Sequence, residues 1–446
     1  MPDLFDPSLT KPLSADRQYL LDTAIPIITL SAVTTEDLKK AHGLPNNETE
    51  GDIVLSRAHY SMAVGVAKQA WDGSPDPKKA WLVDPTNYLT GKNYLSVDLT
   101  EEIGKTIARH SILKTIKDFI DKFGRKKLPI IDSVTNPLLY LTQEIKKPIL
   151  SMHISSGNVL LEQGKTILQV ITDPHVREDY LTHANNNHLT WCVFDEATKM
   201  ELLEKAALLD TDVDPDRVVV TGPPVDPQIV AARKGKRAWR SGKLRLVITT
   251  GGLGTNKAEI LQICRKLFPR LALHDAHSYP PLQLIVYCAT HRDIYTAVMA
   301  IAKEYRLTPA ALVADSAPLR VMYHPQLTDA NNLLLKYAFP WADGFITKPS
   351  GDMAYDAAAA GCFLLTLAEW GEWEHAIRSR FEHLEISRKA IPEQIDDQLE
   401  VLSSAEGKAQ SWIETAQSNA LRLGGDFTSG SANIIAAYKK LSKQAT

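Results

Sequence analysis

Two loops in the second half of the chain carry the residues best suited to binding an anion. The first, Gly251-Gly252-Leu253-Gly254-Thr255, follows the apolar run LRLVITT and precedes the helical pattern AEILQICRKLF. Glycines let a backbone approach an anion closely, and the free N–H groups of a helix start add donors with a favourable dipole. Taken alone, a tight turn without any ligand reads equally well. A dinucleotide fingerprint fits less well, because Gly252-Leu253-Gly254 continues into Thr255-Asn256-Lys257 without a third glycine. The next apolar run, LQLIVYCAT, also lacks the terminal acid that would hold an NAD ribose. The second loop, Thr347-Lys348-Pro349-Ser350-Gly351-Asp352, lies between GFI and the helical MAYDAAAAG. Lys348 offers a diphosphate a point charge, and Asp356, one turn into the helix, offers a carboxylate to the two hydroxyls of a ribose. The alternative for this segment is a capped helix with one exposed aspartate.

Candidates for proton transfer lie in the first half. His59 stands in Ser56-Arg57-Ala58-His59-Tyr60, after the apolar Ile53 to Leu55 and before the helical Met62 to Trp71. An imidazole there suits the base for a hydroxyl or a phosphate ligand, with a structural helix-start histidine as the other reading. VITDPHVREDYL places Asp173 and His175 directly after another apolar run, and Gly222 and Pro223 in VVVTGPPVDP read as a hinge that touches the ligand. Metal chemistry is not expected. Asp210, Asp212 and Asp214 imitate the start of a calcium loop, but Pro215 stands where its glycine is required. His274, Asp275 and His277 have no second ligand cluster nearby that would complete a zinc site.

All these segments end short apolar runs that alternate with helical patterns, the signature of parallel strands joined by crossover helices. DIVLS, AWLVDP, KPILSMHIS, TILQVITDP, TWCVFD and RVVVTG form one series, predicting a domain over 52–228. After the basic stretch AARKGKRAWRSGK, the runs LRLVITT, LQLIVYCAT, LRVMYHP, ADGFITK and GCFLLTL predict a second domain over 243–405. Residues 1–51 read as an extension, although AIPIITLSAV has the composition of a strand, and 406–446 as a helical tail that returns to the first domain.

A chain of 446 residues is long enough for two cores, and 44% hydrophobic with 23% charged residues is an ordinary globular balance. A formal charge of −3 gives no field to recruit nucleic acid, so an anion must be held locally. Cys192, Cys264, Cys288 and Cys362 lie apart in mostly apolar surroundings, which predicts reduced thiols and a cytoplasmic protein. MPDLFDPSLTKPL lacks the features of a secretory signal, and no apolar stretch is long enough to cross a bilayer. The basic run Lys122 to Lys127, beside SILKTIKDFI, is a candidate for peripheral contact with anionic lipid, with a solvated face as the alternative.

Together the loops resemble the nucleotide-sugar site of GT-B glycosyltransferases, in the branch containing bacterial lipid II synthase, monogalactosyldiacylglycerol synthase and processive diacylglycerol glucosyltransferases. FITKPSGDMAYDAAAAG is similar to that branch's I-T-K-P-[SG]-G segment and following helix, with Asp356 in place of the usual ribose-binding Glu. EWGEWEHA departs from its G-Q-E-x-x-N, placing Glu372 where Gln is usual and His375 near the place of Asn. Around His59 the branch's glycine-rich G-H-x-x-A-A is present in its histidine but not in its glycines. The resemblance covers roughly residues 52–385. It implies two doubly wound, Rossmann-like α/β domains facing across a cleft. Gly251, Gly252, Gly254, Thr255 and the Thr347–Asp352 loop would hold the diphosphate, Asp356 the ribose, and Glu372 the sugar. The implied reaction is inverting, metal-independent transfer from a nucleoside diphosphate sugar, most simply a UDP-sugar, to an acceptor hydroxyl activated by His59, Asp173 or His175. No cofactor is implied beyond the donor substrate. An epimerase or hydrolase of the same architecture using Glu369, Glu372 and Glu374, or a non-catalytic nucleotide-sugar-binding protein, remains open on the sequence.

Overall fold

The protein is described by a computed structural model covering residues 7–89, 129–273, 280–405, 407 and 409–444. The basic run Lys122 to Lys127 and the group His274, Asp275 and His277 lie outside the described residues. The chain divides into two compact units, Met1–Pro227 together with Gly425–Thr446, and Gln228–Gly424.

The first unit is built on β1 (Ile25–Ile28), β2 (Ala32–Val33), β3 (Ile53–Val54), β4 (Ala80–Val83), β5 (Ile149–Ser151), β6 (Ile167–Val170), β7 (Leu189–Val193) and β8 (Val218–Val220). Six of these form a parallel sheet in the order β4-β1-β5-β6-β7-β8. Sheets covered on both faces are uniformly apolar rather than alternating, and β1 and β6 are buried at every position. Ile28, Val83, Ile149, Ile167, Leu189 and Trp191 are central to the core.

The beginning of this unit departs from the sequence reading. The segment read as an extension supplies β1, an interior strand between β4 and β5. Ile53–Val54, read as the first strand of the sheet, instead pairs antiparallel with Ala32–Val33. The physical link is at Ser31, whose carbonyl accepts from Leu55 N at 2.9 Å and from Ser56 N at 2.8 Å. The chain thus leaves the end of β1, makes an excursion through residues 32–55, and returns to the same point to begin the helix Arg57–Trp71. A strand of four residues that includes Pro26 has little periodicity of its own to advertise this.

The last helix, Gly430–Gln444, packs on Arg57–Trp71, and Tyr438 OH donates to Pro148 O at 2.7 Å. Gly222 and Pro223 form its seat. Gly222 has φ +87°, and a Cβ there would collide with the carbonyl oxygen of Asp426, while a Cβ on Gly430 would collide with that of Pro223. Two backbones this close, one in a left-handed conformation, require glycine. Gly222→Ala is therefore expected to destabilise the first unit by roughly 2–3 kcal/mol. Urea unfolding followed by circular dichroism checks this; an unchanged midpoint refutes it.

The second unit contains β9 (Leu244–Thr249), β10 (Leu282–Tyr287), β11 (Leu319–Met322), β12 (Gly344–Thr347), β13 (Phe363–Thr366) and β14 (Ser387–Lys389), all parallel, in the order β11-β10-β9-β12-β13-β14. Leu246, Ile248, Leu284, Val286 and Ile346 pack from the sheet against Leu267, Phe268 and Val298 of the flanking helices. The expected architecture of two doubly wound, parallel sheets is present. Strand order reverses beside β9, which lies between β10 and β12, and beside β1, which lies between β4 and β5. Ligands of such sheets sit outside the carboxyl ends of the strands at these reversals. Among the described residues, no helix is long and apolar enough to cross a membrane.

Candidate functional site

In the second unit the two loops singled out in the sequence meet at the reversal. Thr249 Oγ1 donates to Thr347 Oγ1 at 2.7 Å, joining the ends of β9 and β12. Immediately beyond, a Cβ added to Gly251 would lie 2.9 Å from Lys348 Cε and 2.9 Å from Thr255 Oγ1, so a larger residue there would displace those side chains. Gly254 and Asn256 take φ of +66° and +62°, turning the chain into the 17-residue helix Lys257–Leu273. Thr255 is buried, and its hydroxyl has no hydrogen-bond partner among the described residues. Leaving a buried hydroxyl unpaired is costly, and a ligand oxygen at this turn would relieve it.

His291 is a member of this constellation that sequence reasoning missed. It is buried, and its Nε2 lies 3.0 Å from Gly252 O and 3.3 Å from Gly251 O. Carbonyls only accept, so Nε2 carries the hydrogen and holds the glycine turn. Its position directly after the run LQLIVYCAT, at a strand end, was the available signal. On the other side, Asn256 Nδ2 donates to Ala368 O at 3.0 Å and also to Glu259, whose carboxylate accepts from Ala368 N at 3.3 Å. The loops after β9 and β13 are thereby tied together.

Lys348 is not an isolated charge. Its Nζ forms an ion pair of 2.6 Å with Glu374 Oε1, whose side chain is 0% exposed, and Glu374 Oε2 accepts from Trp370 N at 2.7 Å. Glu374, rather than Glu372, is the inward carboxylate; Glu372 is exposed in the first turn of the helix Glu372–His383. His375 is exposed beside Glu369 at 3.3 Å, and Glu369 is held by Arg378. In the β12 loop, Ser350 Oγ accepts from Met353 N at 3.2 Å and Ser350 N donates to Lys348 O at 2.8 Å, so the chain folds tightly across Pro349. Gly351, Asp352 and Asp356 are buried, with Asp356 only 6% exposed in the short helix Met353–Ala359. The alternative of a merely exposed aspartate does not hold.

In the first unit, the reversal beside β1 collects imidazoles. His59 lies in the first turn of the helix Arg57–Trp71, and His153, two residues after β5, caps the helix Ile154–Glu162; their ring centroids are 4.7 Å apart. His59 Nδ1 lies 2.6 Å from Ser56 Oγ and its Nε2 lies 3.1 Å from Thr172 Oγ1. Burial, reinforced by the Arg177 guanidinium, pushes the His59 imidazole down to about 3, so the ring is neutral at physiological pH. One nitrogen then donates to a hydroxyl while the other accepts from one. Arg177 stays charged, since Tyr180, Asp173 and Asp179 outweigh the effect of its burial. His175 is directed elsewhere, with Nδ1 2.9 Å from Glu201 Oε1 on the helix Glu196–Leu208. The structure thus gathers His59, His153, Thr172, Asp173 and Arg177 and leaves His175 with Glu201. His153 and Arg177 were missed by sequence reasoning, although each directly follows a strand or its terminal turn.

The depressed value for His59 has a consequence for stability. Between about pH 6.5 and about pH 3 an unfolded His59 binds a proton that the folded one refuses, so its contribution is full above that window and lost as pH falls through it. The free energy of urea unfolding is expected to drop between pH 7 and pH 4, and to drop less in His59→Gln, by a difference on the order of a few kcal/mol. Parallel pH profiles for the two proteins would refute this.

No protein-family model and no curated protein matches the sequence. Among solved structures, Os79 from O. sativa in complex with UDP aligns with a TM-score of 0.52 at 9% identity, over 93% of this chain and 100% of that one. The MnaA–UDP co-structure from S. aureus aligns at 0.50 and 12% identity, over 94% and 97%. A UDP-forming α,α-trehalose-phosphate synthase from Burkholderia vietnamiensis aligns at 0.50 and 13% identity, over 95% and 98%. The chain has the GT-B fold. The alignment spans nearly the whole length of each chain, so both parallel sheets belong to the GT-B architecture and neither is an appended domain.

Proposed function

We propose that this protein binds a nucleoside diphosphate sugar, a UDP-sugar, at the strand ends of its second unit and transfers the sugar to an acceptor hydroxyl with inversion and without a metal ion. The observation that carries the reading is the meeting of Gly251, Thr255 and Lys348 at the β9/β12 reversal, where a glycine packed against both side chains, a buried hydroxyl without a partner among the described residues and an ammonium group paired with Glu374 coincide. UDP in two of the structural relatives supports the choice of base. Departure of a nucleoside diphosphate builds negative charge on its phosphate oxygens. The N–H groups opening the helix at Lys257 and the Thr255 hydroxyl supply preorganised stabilisation for that charge, and Lys348, whose charge is offset by Glu374, adds N–H donors. Asp356 is assigned to the ribose hydroxyls and the glycine loop to the diphosphate.

On the acceptor side, the neutral His59 imidazole has one unprotonated nitrogen, which takes a proton when the Ser56 or Thr172 hydroxyl it accepts from turns away or relays it. A base this weak accepts it late, as the acceptor oxygen bonds to the anomeric carbon and becomes strongly acidic. The epimerase or hydrolase reading drew on three carboxylates next to the sugar. Glu374 is committed to Lys348, Glu369 to Arg378, and Glu372 faces solvent, which favours transfer.

Calorimetry with UDP, uridine and UDP-glucose, followed by turnover with and without candidate acceptors, tests the proposal. UDP should bind better than uridine, and EDTA should leave binding and turnover unchanged. Sugar release that needs no acceptor would replace transfer by hydrolysis, and donor binding without any turnover would reduce the protein to a binder. Asp356→Ala is expected to keep the fold and weaken UDP by about 1.5–3 kcal/mol, the range for hydrogen bonds to a charged group. Unchanged affinity removes Asp356 from the site.

A further inference from the structure

The Lys348–Glu374 pair has a chemical consequence beyond closing a loop. Glu374 is fully buried and holds Lys348 at 2.6 Å with one oxygen and the Trp370 N–H at 2.7 Å with the other, so its carboxylate is fixed from two sides. Lys348 in turn packs on Gly251, the residue at which the glycine turn begins. The cation beside the proposed diphosphate position is therefore paired with a carboxylate built into the same unit, and the pair is close to neutral as seen by a ligand at the loop.

A nucleoside diphosphate carries its terminal phosphate as a monoester, whose second ionisation lies near pH 6, whereas in the donor sugar that oxygen is esterified. The released product thus bears about one more negative charge than the donor at neutral pH. An unmatched ammonium group within a few ångströms, in a partly buried site, would favour the more highly charged ligand and retain the product. A matched one discriminates much less.

We propose that Glu374 is a specificity-determining residue that, by neutralising Lys348, keeps the affinity for nucleoside diphosphate from exceeding that for the nucleotide sugar, and so sets product release. The inference rests on the donor-site reading above. Glutamine at 374 can still accept from Trp370 N with its one carbonyl oxygen, but then turns an NH₂ donor toward the ammonium and removes one negative charge from beside Lys348.

UDP and UDP-glucose are titrated by calorimetry into the full chain, at low and high salt, for the unmodified protein, Glu374→Gln, Glu374→Asp and the double variant Lys348→Met/Glu374→Met. Glu374→Gln should move the ratio of affinities toward UDP by about tenfold, with the shift fading at high salt. Glu374→Asp, which retracts the carboxylate by one methylene, should move it the same way by less, and keeps the test intact should the glutamine variant fail to fold. The double variant, neutral at both positions, should retain the original ratio. An unchanged ratio in folded Glu374→Gln or Glu374→Asp overturns the inference, as does a double variant that shifts as far as the single one. If the unmodified chain binds neither nucleotide, the donor-site reading itself falls; if it binds both and ignores Glu374, only this inference does.

Discussion

Replacing His59 with alanine is expected to slow sugar transfer by about a hundredfold or more while leaving UDP affinity unchanged, the size associated with loss of a positioned general base. The separation is expected because His59 belongs to the first unit, whereas the loops assigned to UDP belong to the second. The ring is held by Ser56 and Thr172 hydroxyls and is neutral at pH 7, so its one unprotonated nitrogen, which accepts from one of those hydroxyls, takes the acceptor's proton when that hydroxyl turns away or relays it. His59→Gln preserves some hydrogen bonding but cannot carry a proton, and should be nearly as slow as alanine. A structural histidine would give another pattern, with stability lost and turnover per folded molecule maintained. Turnover and UDP binding measured on the same folded sample decide between the two. Near-normal turnover would exclude His59 and turn attention to Asp173, which lies in the same group of residues, ahead of His175, which is paired with Glu201.

Lys348→Ala is expected to cost about 3–5 kcal/mol of stability, because it leaves the fully buried carboxylate of Glu374 without its counter-ion. This exceeds anything a surface lysine would contribute. The comparison that isolates the cause is again the double variant Lys348→Met/Glu374→Met. Removing both charges and filling the space with apolar side chains should restore most of what the single change loses. Urea denaturation of the three proteins measures it, with lost UDP binding in Lys348→Ala interpreted only where the variant is folded. A single variant as stable as the parent would mean that water reaches Glu374.

The legibility of this chain in its sequence followed the range of the forces involved. Apolar runs such as LRLVIT and LQLIVY are local patterns and reported their strands directly. The four-residue β1 offered too short a run to be placed, and the two-residue β3, although apolar, was assigned to the wrong sheet because partner choice is not written in either strand. Likewise the loops after β9 and β12 were recognisable from glycine, lysine and helix-start chemistry alone.

Their meeting was not, since Thr249 and Thr347 touch across 98 positions of sequence only because strand order reverses beside β9. Side-chain direction was equally hidden. Glu372 and Glu374 differ by two residues, which on a helix of 3.6 residues per turn is about 200° of rotation, so one faces solvent and the other the core. Glu374 turned inward on the face that also buries Ile377 and Phe381. Composition and spacing therefore determined the longer strands, the anion-seeking loops and the presence of His59. The pairing of Lys348 with Glu374, the anchoring of the glycine turn by His291, and the approach of His153 to His59 were decided by tertiary structure, because each is a contact between segments that only the closed sheet brings within reach.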